Sequence, residues 1–164
     1  MGDGDGLKQS SPESGNVDTG KDAGEQVRVM ARLFGSMFYH FANLLVERFG
    51  EVEGRRLVEE AVKRFGLERG ERMREKAVER GLEPLLVNFD KVNDLPRVGW
   101  GGPGREAYCP FAEVWIEKGA EDLCKLYCAV DIWKMEGYNP KIRVRRLRWV
   151  LEGNSDCEYR LNQM

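Results

Sequence analysis

Apolar residues recur every three or four positions in the first half of the chain, a spacing typical of α-helices. The stripe from Val27 to Leu45 predicts a first helix that ends near Gly50. A second stripe predicts a helix over 51–66, and a third predicts one over 67–81 that ends at Gly81. Oppositely charged residues at helical spacing in the third segment indicate a solvent-facing surface.

The pattern changes after Gly81, where prolines and glycines indicate loops up to about residue 104, with a short strand as one option at 85–87. Helical spacing returns over 111–118 and 120–137, on either side of Gly119. Alternating residues from 141 onward predict a strand with a β-bulge at Arg145–Arg146. A turn and the strand CEYRL complete a β-hairpin. The predicted fold class is therefore α+β, with N-terminal helices packed on a small, mostly antiparallel sheet.

Length and composition narrow the class of protein. The 164 residues favour one domain, at 24–164, preceded by a disordered acidic tail rich in Gly and Ser at 1–23. We find no uninterrupted apolar run of about 18 residues and no secretory signal pattern, so we expect a cytoplasmic protein without a membrane partner. The net charge of −2 gives no general attraction to nucleic acid. Exposed apolar residues on the first helix could form a homodimer interface or belong to the core.

The residue with the clearest chemical potential is Cys109, which stands directly before Pro110. Proline favours the first turn of a helix, so Cys109 is predicted near a helix N-cap. Exposed amide groups and the helix dipole at that position lower the pKa of a thiol. A buried and unreactive cysteine is the alternative.

The other cysteines leave several roles open. Cys124 and Cys128 are four residues apart on one predicted helix, so they share a face and could hold a metal. A zinc site commonly uses close Cys-x-x-Cys pairs, which this chain lacks, and His40, Cys109 and Cys157 could complete a ligand set only if folding gathers them. We predict core packing for Cys124 and Cys128, with no metal and no cofactor.

Polar residues near the second half of the chain add candidates for substrate contact. Asp131 lies one helical turn after Cys128 and could act as a general base or anchor an amino group. Asn139 could present its amide to a ligand or simply end the helix. Basic residues between Lys141 and Arg148 could bind a carboxylate or form a solvated sheet face.

The segments YCPFAEVWIEKG, LYCAVDIWKMEGYNP and LEGNSDCEYRL, together with the preceding charged helices, resemble the L-2-amino-thiazoline-4-carboxylic acid hydrolase family. The closing segment is also similar to 4-vinyl reductase-type small-molecule-binding domains. The first resemblance implies water-dependent opening of a cyclic amidine-like ring, with an amino-acid-like carboxylate as substrate. It implies Cys109 and Asp131 as catalytic residues. The substrate-contacting residues that it implies are Cys128, Asn139, Trp115, Cys157 and His40.

Two other functions remain open at the level of sequence. A small-molecule-binding or sensor module would use the same cavity without turnover. A metal- or haem-binding protein would use Cys109 and the other thiols as ligands.

Overall fold

The computed structural model describes residues 19–96, 98–99, 105–106 and 109–164, with the backbone alone at 19–22 and 105–106. Residues 1–18 of the predicted tail at 1–23 lie outside these residues, and residues 19–23 belong to helix α1. The α-helices are α1 (Thr19–Glu79), α2 (Phe89–Val92), α3 (Pro110–Glu117), α4 (Glu121–Cys124) and α5 (Val130–Tyr138). The strands are β1 (Arg105–Glu106), β2 (Ile142–Arg148) and β3 (Cys157–Gln163). Short 3₁₀ helices occur at Leu86–Asn88, Lys125–Ala129 and Val150–Glu152. This arrangement confirms the predicted α+β class.

Helix α1 is folded back on itself at Gly50, whose φ of 80° and ψ of 167° are not helical. A positive φ suits glycine, which has no Cβ to clash with the backbone. The two arms, 19–49 and 51–79, lie side by side: the rings of Phe34 and Phe65 stack with centroids 6.4 Å apart. The predicted break at Gly50 is therefore confirmed.

The predicted end of a helix at Gly66 is wrong, because α1 continues through this glycine to Glu79. A Cβ on Gly66 would lie 2.5 Å from the Cβ of Trp133, and one on Gly70 would lie 2.1 Å from the carbonyl oxygen of Lys134. On the facing helix α5, a Cβ on Gly137 would lie 2.4 Å from the carbonyl oxygen of Leu67. These glycines let the two backbones touch, which is a second use of glycine besides ending helices.

Short 3₁₀ helices replace two further elements that the sequence suggested. The predicted helix over 120–137 is interrupted by the 3₁₀ turn Lys125–Ala129, and the optional strand at 85–87 falls within the 3₁₀ helix Leu86–Asn88 and the residue before it. A 3₁₀ helix has about three residues per turn, which changes the face that each residue presents. Tyr127 thereby enters the core, where its ring lies 5.0 to 5.7 Å from those of Phe38, Phe111 and Trp115.

The sheet has the order β1-β3-β2, and both pairings are antiparallel. The β2–β3 register shifts between Arg146 and Arg148, so the predicted bulge is present one position later than expected. Gly153, with a φ of 82°, helps the chain turn back toward Cys157 at the start of β3.

Buried apolar residues form two clusters that together define the core. One cluster joins the two arms of α1 to α3, the 3₁₀ turn and the loop before β3, and includes Val58, Val62, Trp115, Cys124, Tyr127 and Leu151. The other joins the end of α1 to α2, α5 and β2, and includes Met73, Ala77, Phe89, Val92, Met135, Tyr138 and Ile142.

Helix α1 also carries an 18-residue stretch that is apolar enough to cross a membrane by length and composition alone, although the core helices of soluble proteins can pass the same test. Only 17% of that stretch is buried. The sequence analysis left the apolar residues of the first helix open between a homodimer interface and the core, and the structure leaves many of them exposed.

Candidate functional site

A small cavity of about 70 Å³ opens among α1, α3, α5, the residues before β3 and β3 itself. Most of its wall is aromatic or aliphatic. Its ionisable lining side chains are those of Arg69, Cys109, Tyr127, Cys128, Asp131, Cys157 and Tyr159. A water-sized sphere takes about 10 to 15 Å³ of such space, so the cavity has room for roughly five water-sized groups.

Folding brings five of the seven predicted site residues to this cavity. Two of them lie at the N-terminal ends of helices: Cys109 directly precedes α3, and Asp131 lies in the first turn of α5. The five lining residues are Cys109, Trp115, Cys128, Asp131 and Cys157. Their functional roles stay predictions, but their meeting at one cavity wall is a property of the fold.

The other two predicted residues do not line the cavity. The side-chain amide of Asn139 donates to the carbonyl oxygen of Pro84 at 2.8 Å, and its side-chain oxygen accepts from the backbone N–H of Lys141 at 2.9 Å. Asn139 thus ends α5 and holds the neighbouring loop. His40 is exposed on α1, where its ring meets the ring of Tyr39 at a centroid distance of 5.0 Å.

Cys109 occupies the N-cap position of α3, as its place before Pro110 predicts. Its backbone is extended, with φ of −119° and ψ of 104°, and its carbonyl oxygen accepts from the N–H of Glu113 at 3.1 Å. The half-buried side chain therefore starts at the positive end of the helix dipole. In general, the exposed amide groups at a helix N-terminus can stabilise a cysteine thiolate.

Cys128 differs from Cys109 in its chemistry although both line the cavity. Burial raises the pKa of the Cys128 thiol to about 12, against the opposing effects of the Trp149 indole N–H and the Arg146 guanidinium. Burial likewise raises the pKa of Cys124 to about 12, and that residue packs in the core rather than on the cavity wall. Of these two cysteines, Cys128 is the one that lines the cavity, to which it contributes a neutral thiol.

We expect this difference to appear in alkylation of the native protein. At pH 8 a thiol with a pKa near 12 is ionised in roughly one molecule in 10,000, and only the thiolate reacts rapidly. Iodoacetamide should therefore modify Cys109 well before Cys124 or Cys128, as measured by peptide mass spectrometry. The urea-unfolded protein is the control, in which all three should react at similar rates. Faster labelling of Cys128 than of Cys109 in the native protein would contradict this assignment.

Arg69 provides a buried cation at the cavity wall. Its side chain is 12% exposed, and its Nε and Nη2 donate to the two carboxylate oxygens of Asp94 at 2.6 and 2.8 Å. Burial alone would lower the Arg69 pKa, but the hydrogen bonds and charge of Asp94 raise it above its usual value. The guanidinium also lies over the Phe65 ring, 5.3 Å from its centroid.

Asp131 provides the opposite charge on the same wall. Its Oδ1 lies 3.7 Å from the Nζ of Lys134, whose own side chain is almost fully buried. The carboxylate remains partly accessible, with 36% of its side chain exposed. The cavity thus combines a thiol at a helix N-terminus, a carboxylate and a guanidinium.

The basic strand does not supply the arginine that the sequence suggested for carboxylate binding. Arg146 is not among the residues that line the cavity. Its Nη2 donates to the carbonyl oxygen of Cys128 at 2.5 Å, and its guanidinium carbon lies 4.0 Å from the centroid of the Trp149 ring. Arg148 pairs with Asp156 at 2.8 Å and Glu158 at 3.1 Å.

Sequence reasoning missed Arg69 because it belongs to a charged run. Its position between Gly66 and Gly70, on a face marked by glycines, is the signal that could have indicated burial.

The segment that contains most of the cavity-lining residues matches a known protein family. Residues 106–161 match the family described as L-2-amino-thiazoline-4-carboxylic acid hydrolase, which confirms the predicted resemblance over that segment. The matched segment contains Cys109, Cys128, Asp131 and Cys157, whereas Arg69 precedes it. The similarity to 4-vinyl reductase-type domains stays a prediction. Searches of curated proteins and of solved structures gave no significant match.

Within the part of the chain that the structure describes, no three His, Cys, Asp or Glu side chains form a metal-binding group.

Proposed function

We propose that this chain, which matches the L-2-amino-thiazoline-4-carboxylic acid hydrolase family over residues 106–161, is a hydrolase that opens a small cyclic amidine ring. The observation that carries the proposal is the presence of Cys109, Asp131 and Arg69 on the wall of one small cavity. These side chains supply a nucleophile, a partner for the amidine and a partner for a carboxylate. The substrate that fits all three is 2-amino-thiazoline-4-carboxylate or a close relative.

The reacting atom of such a substrate is the ring carbon between nitrogen and sulfur. This carbon becomes more electrophilic when the ring nitrogen is protonated. A carboxylate beside the amidine favours the protonated form and accepts hydrogen bonds from its N–H groups. Asp131 has this role in the proposal, since its partly exposed carboxylate lines the cavity.

The thiolate of Cys109 adds to this carbon, and the carbon–sulfur bond of the ring then breaks. The ring sulfur leaves as a thiol after taking up the proton of the ring nitrogen, which Asp131 carries between the two atoms in this proposal. The enzyme then holds an isothiourea on Cys109. One water molecule adds to the same carbon and expels Cys109 as thiolate, so that the product is N-carbamoyl-cysteine and the net reaction consumes one water.

Arg69 is the proposed anchor for the substrate carboxylate. Its bonds to Asp94 use Nε and Nη2, so Nη1 can donate to a second carboxylate. The Asp94 pair also fixes the direction of the guanidinium before substrate arrives, which reduces the entropy lost on binding. The volume of about 70 Å³ favours a small ring over a nucleotide or peptide.

Asp131→Asn tests the proposed role of the carboxylate. Asparagine keeps the size of the side chain but neither carries a proton nor stabilises an amidinium by charge, so kcat should fall about 100-fold. Steady-state kinetics on 2-amino-thiazoline-4-carboxylate measure the effect. The matched control is Asp122→Asn, which removes an exposed carboxylate that pairs with Arg55. An equal loss in both variants would argue against a specific role for Asp131.

The function itself is tested by incubating the purified full chain with L-2-amino-thiazoline-4-carboxylate and following N-carbamoyl-cysteine by mass spectrometry. We expect product formation that depends on protein concentration. Saturable binding in calorimetry without product would favour the non-catalytic binding module instead. Neither binding nor turnover of this ring would overturn the proposed substrate class.

A further inference from the structure

The first arm of α1 presents a row of large apolar side chains that the described part of the chain does not cover. This α1 face consists of Met30, Leu33, Phe34, Met37, Phe41 and Leu44, which are each between 42% and 65% exposed. Their spacing of three, four and seven residues places them on one side of a helix. An exposed apolar surface of this size indicates an interaction site.

We propose that the α1 face is the interface of a homodimer, in which the first arms of two copies pack against each other in antiparallel orientation. Six large side chains, each leaving on the order of 100 Å² uncovered, make an apolar area of about 600 Å². Specific interfaces bury about 800 Å² from each partner, of which somewhat more than half is apolar. The α1 face therefore has the area that a stable dimer needs.

The charge distribution along the helix favours a second copy as the partner. Residues 33–46 contain no Asp, Glu, Lys or Arg. Two copies can therefore come together there without burying an unpaired charge, which would be costly. A helix that lies on a membrane surface instead carries Lys or Arg along its polar edges, and this stretch has none.

The opposite side of the same arm is committed to the core, which argues against a membrane-spanning α1. The carbonyl oxygen of Gly35 accepts from the indole N–H of Trp115 at 2.9 Å, and a Cβ on Gly35 would lie 3.3 Å from Phe111. Arg32 pairs with Glu113 and with Glu117 on α3. Insertion of α1 into a bilayer would break these contacts.

The two arms of α1 also form a groove that can accept a side chain of the partner. An apolar groove of about 380 Å³ runs between them, with Met37, Phe41, Val62 and Phe65 among its lining residues. Met37 is the midpoint of the α1 face, so a two-fold axis beside it brings Met37 next to its own copy. The same axis brings Met30 opposite Leu44 and Leu33 opposite Phe41.

Sedimentation equilibrium of the full chain tests the dimer. We expect a mass twice that of the 18.8 kDa chain, and a dissociation constant at least about 100-fold larger for Met37→Glu, which buries a charge at the axis. Val87→Glu is the matched control, because Val87 is 75% exposed and lies outside the α1 face. Met37 is itself more than half exposed, so thermal melting should show that the variant subunit still folds.

Met37→Cys provides an independent test that Met37 lies at the two-fold axis of the dimer. Mild oxidation should join two Met37→Cys chains into a covalent dimer, whereas wild-type protein and Val87→Cys should remain uncrosslinked. A wild-type monomer throughout the micromolar range would overturn the proposal. So would a monomer that floats with phosphatidylcholine or phosphatidylglycerol vesicles through the α1 face, since the partner would then be a membrane. A dimer that Met37→Glu leaves intact would place the interface elsewhere and overturn it too.

Discussion

Replacing Cys109 by alanine is expected to lower kcat/KM for cyclic amidine hydrolysis at least about 1000-fold, because the variant lacks the atom that attacks the ring. The N-cap backbone of α3 and the adjacent Pro110 are unchanged by this substitution. The variant should therefore retain its circular dichroism spectrum. Product formation followed by mass spectrometry gives the rate for both proteins under the same conditions.

The matched control is Cys128→Ala, which removes a second thiol from the same cavity wall. Because burial raises the pKa of Cys128 to about 12, this thiol is protonated at neutral pH and contributes shape rather than nucleophilicity. We expect a loss of less than about tenfold. Retained activity in Cys109→Ala would contradict the role of Cys109 as nucleophile, because water would then have to attack the ring directly.

A second measurement looks for the covalent intermediate. In wild-type protein quenched during turnover, an isothiourea adduct on Cys109 should appear as a mass increase.

The most accurate sequence predictions concern residues whose role depends on local chain geometry. Proline after Cys109 sets the start of α3, and the turn at Gly50 needs a positive φ. Both effects act within a few residues, so the sequence contains the relevant information. The meeting of Cys109 with Asp131 is different, because it depends on how α3 and α5 pack. It was expected from the resemblance rather than from any local rule.

The missed features depend on contacts between distant segments. Gly66 has the same local sequence signal as a helix end, yet it allows α5 to approach α1. Arg69 belongs to a charged run that indicates solvent, yet its pairing with Asp94 satisfies the guanidinium at the cavity wall. The local sequence allowed Asn139 to contact a substrate, yet in the structure its side-chain amide donates to the carbonyl oxygen of Pro84. In each case a tertiary contact decides between two roles that the local sequence allows equally.

Substitution of Gly70 by alanine should lower the free energy of unfolding by about 3 kcal/mol, near the upper part of the range for overpacking of a close contact. Alanine favours an α-helix over glycine by about 1 kcal/mol, so propensity alone predicts the opposite sign. The steric effect should dominate, since the new Cβ would lie 2.1 Å from the carbonyl oxygen of Lys134 and 2.6 Å from the backbone nitrogen of Tyr138. Both obstacles are backbone atoms, which cannot rotate away. Urea unfolding monitored by circular dichroism measures the change.

Gly24→Ala is the matched control, because it lies in the same helix and its Cβ would be 3.8 Å from the nearest neighbour, an ordinary contact. Its stability should stay equal or rise slightly, as helix propensity predicts. The Gly70 substitution should also reduce turnover beyond its effect on stability. Displacement of α5 from α1 separates Asp131 from Arg69, and the proposed amidine and carboxylate partners would no longer match one small ring. A Gly70→Ala protein with wild-type stability would show that the two helices can move apart without loss, and that their close crossing does not determine the cavity.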